Sequence, residues 1–286
     1  MTERAATAAV LASHGTSSAD GQLAVRRLVE AVSASLRFPV VGCHVDVEQP
    51  DVPTALAAAA TRAERAVVVP LLLSAGFHVF VDLADSAAES LIPATVSPAL
   101  GPDVRLVQVL IARLHEAGYR PGDEVVLAAA GSTDRRAVAD CHRTAALLSG
   151  RLGASVTVGF ISAATPSLSD AVAIARRRSA GARVLVSTYL LAPGYFATLA
   201  EQAGADLVAA PLLTSDSTPR ELVDVVLDRV DALASSSASA GYTRVVKTPP
   251  SARTAAPFVA EASGLARYTT RLAISSGEMN RCRSEV

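Results

Sequence analysis

The sequence predicts an α/β protein made of two tandem units, each a parallel sheet flanked by helices, with a cleft between them. Three observations carry that expectation. Short runs of apolar and β-branched residues alternate with segments of helical period. One of these runs, Val67–Leu73, is apolar throughout, as a strand buried on both faces would be. The pattern of residues 11–76 also returns later in the chain at a nearly constant offset.

Taken in order, Ala9-Val-Leu-Ala-Ser13 reads as the first strand and about Gly21–Leu36 as the helix behind it. Val40–Val47 reads as the second strand, followed by a helix from about Pro53 to Glu64. The third strand is the run Ala66–Leu73, with a helix near Val79–Leu91. Arg105–Leu110 is expected as a further strand, before a short helix ending near Gly118. Then the series repeats. Leu11–Thr16 lines up with Leu127–Ser132, His14 falling on Ala130, an offset of 116. Pro50 and Ala55-Leu56 match Pro166 and Ala171-Val172 at the same offset. Val67–Gly76 aligns with Leu185–Gly194 at an offset of 118, the two extra residues lying in the turn at Arg176–Arg183. The expected organisation is a first unit at 1–118, a degenerate second unit at 119–234 joined through a Pro-Gly turn at Tyr119–Asp123, and a tail at 235–286. That tail is rich in Ser, Pro and Ala and lacks a sustained period, so it is expected to be poorly ordered, with a short β segment at Tyr242–Val246.

Half of the 286 residues are apolar and 19% are charged, which supports a sizeable core. The 26 basic and 27 acidic residues nearly cancel, leaving no electrostatic footprint for nucleic acid or an anionic membrane. Lys247 is the single lysine, so lysine Schiff-base and P-loop chemistry lose their candidates. Cys43, Cys141 and Cys282 are far apart and form no CxxC pair, which argues against a zinc knuckle or a disulfide framework and fits a reducing cytoplasm. No two glycines stand at G-x-G spacing, and no Walker, HExxH or G-x-S-x-G pattern occurs. The longest apolar stretch, Ala66–Phe77, is too short to span a bilayer, and the N-terminus reads as a strand instead of a signal peptide.

Two of the five histidines are placed where chemistry collects. His14 directly follows the first strand, and His78 follows the third strand and its Ser-Ala-Gly turn. Ligands of open parallel sheets gather at the carboxyl ends of strands, where both imidazoles would sit on neighbouring loops. Neutral imidazole suits borderline divalent metals. In the second copy the matching residues are Ala130 and Phe196, so one half has lost both groups. Glu48, at the end of the extended second strand, is a third candidate and is Ala164 in the second copy. His44, four residues before Glu48, would lie about 13 Å away along a strand and so would not share a metal with it. Cys141, His142 and His115 read as structural.

The residues Leu11-Ala-Ser-His14-Gly-Thr, Glu48-Gln-Pro50, Val69-Pro-Leu-Leu-Leu-Ser-Ala-Gly76-Phe-His78-Val and Leu100-Gly-Pro102 resemble, in order and spacing, the sirohydrochlorin chelatases of the CbiX/SirB type. The resemblance covers about residues 8–235 and is stronger in the first half. It implies two chelatase-like units and a lyase that inserts Fe²⁺ or Co²⁺ into sirohydrochlorin or a related tetrapyrrole, for siroheme or cobalamin biosynthesis. It would make His14 the general base and a metal ligand and His78 the other metal ligand. Glu48, Leu73, Ser74, Ala75, Gly76 and Phe77 would touch the macrocycle. No cofactor is implied beyond the metal that is itself a substrate, and the expected partners exclude nucleic acid and membrane. A monomer with an internal pseudo-dimer is expected. Thr16, Ser17 and Ser18 would donate to the macrocycle's anionic side chains at a helix N-terminus, and Tyr195 and Phe196 would cover it or else pack the second unit's own core. Many members carry a basic residue and then Asp soon after the second His, whereas Phe80-Val81-Asp82 keeps the Asp alone. The alternative is a metal or tetrapyrrole carrier on the same fold without turnover.

Overall fold

The computed structural model describes residues 5–74 and 76–236. The first sheet is β1 (Ala8–Ser13), β2 (Val40–His44), β3 (Ala66–Pro70) and β4 (Ala94–Val96), in the order β2-β1-β3-β4 with every pairing parallel. The second is β5 (Glu124–Ala129), β6 (Val156–Phe160), β7 (Val184–Tyr189) and β8 (Leu207–Val208), in the equivalent order β6-β5-β7-β8. Around them run α1 (Ala19–Ser35), α2 (Val52–Ala60), α3 (Phe77–Ala88), α4 (Val104–Glu116), α5 (Arg135–Leu152), α6 (Leu168–Arg178), α7 (Tyr195–Glu201) and α8 (Arg220–Ser236). Among the described residues no helix is long and apolar enough to cross a membrane.

The repeat read from the sequence is reproduced by strand register. Ala9 pairs with Val40 and Val67, and Val125 pairs with Val156 and Leu185, which restates the offsets of 116 and 118 in hydrogen bonds. Backbone details recur as well. Gly15 and Gly131 share φ near +93°, and Val47 and Ala163 are both left-handed, at +66° and +54°.

Strand periodicity sorts the core into layers. Ala9 and Leu11 of β1 face a large central cluster with Val67 and Val69, while Ala8, Val10 and Ala12 face an outer cluster with Leu56, Val68 and Leu83. In the second sheet Val125, Leu127 and Ala129 face the same central cluster, and Val126 and Ala128 face a separate outer one. The two sheets therefore share one core. The helices that fill it are exchanged: α4 packs on α5 and β7 of the second sheet, while α8, the last helix among the described residues, returns to β3, α4 and α1. Arg229 on α8 donates to the Ala99 and Leu100 carbonyls, and the buried Arg113 on α4 donates to the Pro211 and Leu212 carbonyls. The described residues form one compact unit.

Two expectations are corrected. Arg105–Leu110 lies inside helix α4: Leu106, Val107, Leu110 and Leu114 are buried at helical spacing, and the Asp103 side chain caps the helix by accepting from the Arg105 N–H. The missing strand is β4, three residues long and too short to show a period. The second strand stops at His44, because the left-handed Val47 turns the chain back before Pro50. The expectations for the tail lie, from residue 237 onward, outside the described residues.

Candidate functional site

In the order β2-β1-β3-β4 the chain crosses from one side of β1 to the other, so the loops leaving β1 and β3 diverge and open a crevice at their carboxyl ends. His14 is the first residue beyond β1 and is exposed, while the six residues before it are all buried. Its backbone is held by a hydrogen bond from the Asp46 N–H to its carbonyl (3.0 Å), next to one from Val45 N–H to Ser13 (2.8 Å). Gly15 is left-handed, and a methyl group there would collide with the Asp46 carbonyl, so only glycine lets the two loops pass this closely. His78 is the second residue of α3, whose first turn follows β3, the strand hydrogen-bonded to β1. His14 thus directly follows β1, and His78 stands in the first turn of the helix that follows the neighbouring strand.

Glu48 is not at the end of a strand. The reversal at Val47 folds it back over β1, where its Oε1 accepts the Thr16 N–H at 2.8 Å and lies 3.6 Å from Nδ1 of His44. The 13 Å spacing between His44 and Glu48 is overturned by that bend. His44 Nδ1 is in turn 2.8 Å from the Ser13 hydroxyl. Glu48 therefore ties the β1 loop to the β2 loop, and the Thr16 N–H expected for a ligand anion is already satisfied. Ser18 is likewise engaged as the N-cap of α1, its hydroxyl accepting from Gly21. Sequence reasoning overlooked Asp46, an exposed carboxylate bonded through its backbone to His14. Reading β2 as continuing past it hid the turn that brings it there.

The segment after β3 is tied down residue by residue. Leu71 N–H donates to Ala12, the Leu72 carbonyl accepts from Leu100, and the Leu73 carbonyl accepts from the hydroxyl of Tyr189 at 2.9 Å. Gly76 caps α3, with its N–H bonded to the Ser74 carbonyl; Ala75 and the side chains of residues 77–80 lie outside the described set.

The loops of the second sheet meet this edge. A Cβ on Gly194 would sit 3.0 Å from the Thr16 hydroxyl, so the start of α7 stands beside the His14 loop. Tyr195 and Phe196, next in sequence, are 64% and 37% exposed with rings 6.2 Å apart. They do not pack their own unit's core. Ala130 and Ala164 occupy the positions equivalent to His14 and Glu48. Burial pushes the Cys43 thiol up to about 12, with Asp51 adding to it, and the Cys141 thiol to about 11. Neither is a thiolate ligand near neutral pH. His142 stacks edgewise on Phe160 and His115 on Tyr119. Among the described residues no three His, Cys, Asp or Glu groups form a ready cage for a metal ion.

A family model described as CbiX matches residues 8–117 and 124–207. Among solved structures, SirB from Bacillus subtilis with Fe³⁺ superposes with a TM-score of 0.68 at 20% identity, covering 82% of this chain and 97% of that one. The sirohydrochlorin chelatase SirB from Bacillus subtilis subspecies spizizenii in complex with cobalt gives 0.64 at 18% identity, covering 82% and 98%. A structure of CbiX described as the terminal enzyme for biosynthesis of siroheme in denitrifying bacteria gives 0.54 at 19%, covering 77% and 97%. At these identities the likeness is one of fold. A search of curated proteins finds no match.

Proposed function

The chain belongs to the CbiX family, and from that membership we propose that it is a metal chelatase that inserts Fe²⁺ or Co²⁺ into sirohydrochlorin or a closely related tetrapyrrole. The observation that supports the proposal is the backbone placement of His14 directly after β1 and of His78 in the first turn of the helix that follows β3, the strand paired with β1, with alanine and phenylalanine at the matching places in the second half. The reaction exchanges two pyrrole N–H protons for one divalent metal. Imidazole takes up and gives back protons near neutral pH, so an exposed His14 on a fixed backbone suits the role of base. The two imidazoles would hold the incoming metal, and the Asp46 N–H, bonded to the His14 carbonyl, holds the backbone that carries the base. The loop Leu73–Phe77 would meet one edge of the macrocycle, and Tyr195 and Phe196 would cover its apolar face from the second half. Glu48 acts here through the loop that it staples. No cofactor enters, because metal and macrocycle are both substrates.

The test is anaerobic incubation of the purified protein with sirohydrochlorin and either metal, followed by absorbance. Metallation with many turnovers above the uncatalysed rate supports the reading. Binding of one equivalent without turnover would instead favour a carrier. Comparison of the two metals identifies the one inserted, since Fe²⁺ and Co²⁺ are neighbours in intrinsic affinity.

A further inference from the structure

The two halves treat one equivalent carbonyl differently. In the second half the Leu190 and Leu191 carbonyls accept from the backbone N–H groups of Leu212 and Leu213. In the first half the Leu72 carbonyl accepts from the Leu100 N–H in the matching way, but the next carbonyl, Leu73, takes the hydroxyl of Tyr189 from the other half. Tyr189 is 2% exposed at the end of β7, and burial pushes its phenol up, so it stays a neutral donor. Gly101 lies flat against the bond. A methyl group there would strike both the Tyr189 hydroxyl and the Leu73 carbonyl. Five residues beyond Leu73 stands His78.

We propose that Tyr189 is a positioning residue: through its hydroxyl it fixes the Leu73 end of the segment that carries His78, so that the half lacking counterparts of His14 and His78 sets the geometry of the half that has them. It acts on the site through Leu73 and not by touching substrate. The role in catalysis rests on the chelatase reading above; the role in holding the loop does not.

The experiment compares the full chain with Y189F, which keeps the ring, and with G101A, which wedges the same bond apart. Three quantities are read: hydrogen exchange of residues 73–78, Co²⁺ affinity from the d–d bands, and kcat and KM for metallation. In both variants exchange in that segment should rise about ten-fold while the β1 and β5 amides keep their protection. Co²⁺ affinity should fall about ten-fold, and kcat should fall more than KM rises. Loss of protection across the whole molecule in Y189F would mean that the hydroxyl serves general stability, and the proposal would be wrong. Parental exchange and parental Co²⁺ affinity in a folded Y189F would overturn it equally. If the parent protein turns over no tetrapyrrole, the chelatase reading fails, while loop exchange and cobalt affinity still decide the role of Tyr189.

Discussion

His14 directly follows a strand in which every residue is buried, yet it is itself exposed and packs little. Replacing it with alanine should therefore change stability by no more than about 0.5 kcal/mol and cost at least about 100-fold in metallation, the lower range for a lost general base. Parental turnover in folded His14→Ala would sink the assignment. Glu48 is predicted to behave differently, because its carboxylate already accepts the Thr16 N–H. Glu48→Ala should destabilise by about 1–2 kcal/mol in urea melts, and Glu48→Gln, which keeps an acceptor oxygen, should recover most of that. The buried thiols give a pH prediction. Folding raises the Cys43 and Cys141 values to about 12 and about 11, so both thiols stay protonated and unreactive at pH 8. The folded state prefers the proton, so stability from these two groups is intact below the ordinary thiol value and falls as pH rises above it. Mass mapping after thiol labelling at pH 8 should find both sites unmodified until denaturant is added. At this scale the sequence revealed the two histidines by their position after apolar runs. It could not reveal Glu48's partner, because the link depends on a left-handed valine, a conformation that valine rarely takes.

At the scale of elements, β1 and β3 were legible because continuous apolar runs leave little choice of structure. Residues 104–110 misled for a physical reason. Val-Arg-Leu-Val-Gln-Val-Leu is dense in β-branched residues, and only the next turn, with Leu114, makes its helical period plain. The exchange of α4 and α8 left no local trace, since an apolar stripe shows which face is buried and not which sheet buries it. Its energetics are large. Leu222, Val225, Val226 and Val230 of α8 are fully buried, and at about 1.5–3 kcal/mol each they match the whole stability of an ordinary domain. Residues 1–118 alone should accordingly fail to give a cooperative melt, whereas co-expression with 119–236 should restore one. A cooperative melt for 1–118 by itself would mean that α8 is dispensable to the first sheet.

Across the whole molecule, near-symmetry of fold coexists with asymmetry of chemistry. Register, loop conformation and core layering repeat between the halves, but His14 and His78, the proposed metal ligands, do not. The full-length double variant His14→Ala/His78→Ala should therefore show no stoichiometric Co²⁺ bands. A tight site that survives would place a ligand set elsewhere, the second half included. The offset of the repeat was fully legible from the chain, and strand pairing reproduces it to the residue; the shared core that fuses the copies was not.

The return of α8 to the first sheet also shapes how the chain is born. β4 ends at Val96 and α8 begins at Arg220, roughly 120 residues later. At a synthesis rate of about 5–20 residues per second, the inner face of the first sheet waits roughly 6–25 s on the ribosome before its cover emerges. Contacts such as Arg229 with Leu100 or Arg65 with Ala234 join residues 129 and 169 positions apart. Lesions in α8 should thus register first as poor yield of nascent protein and greater reliance on chaperones. The molecules that do complete folding should carry an ordinary site.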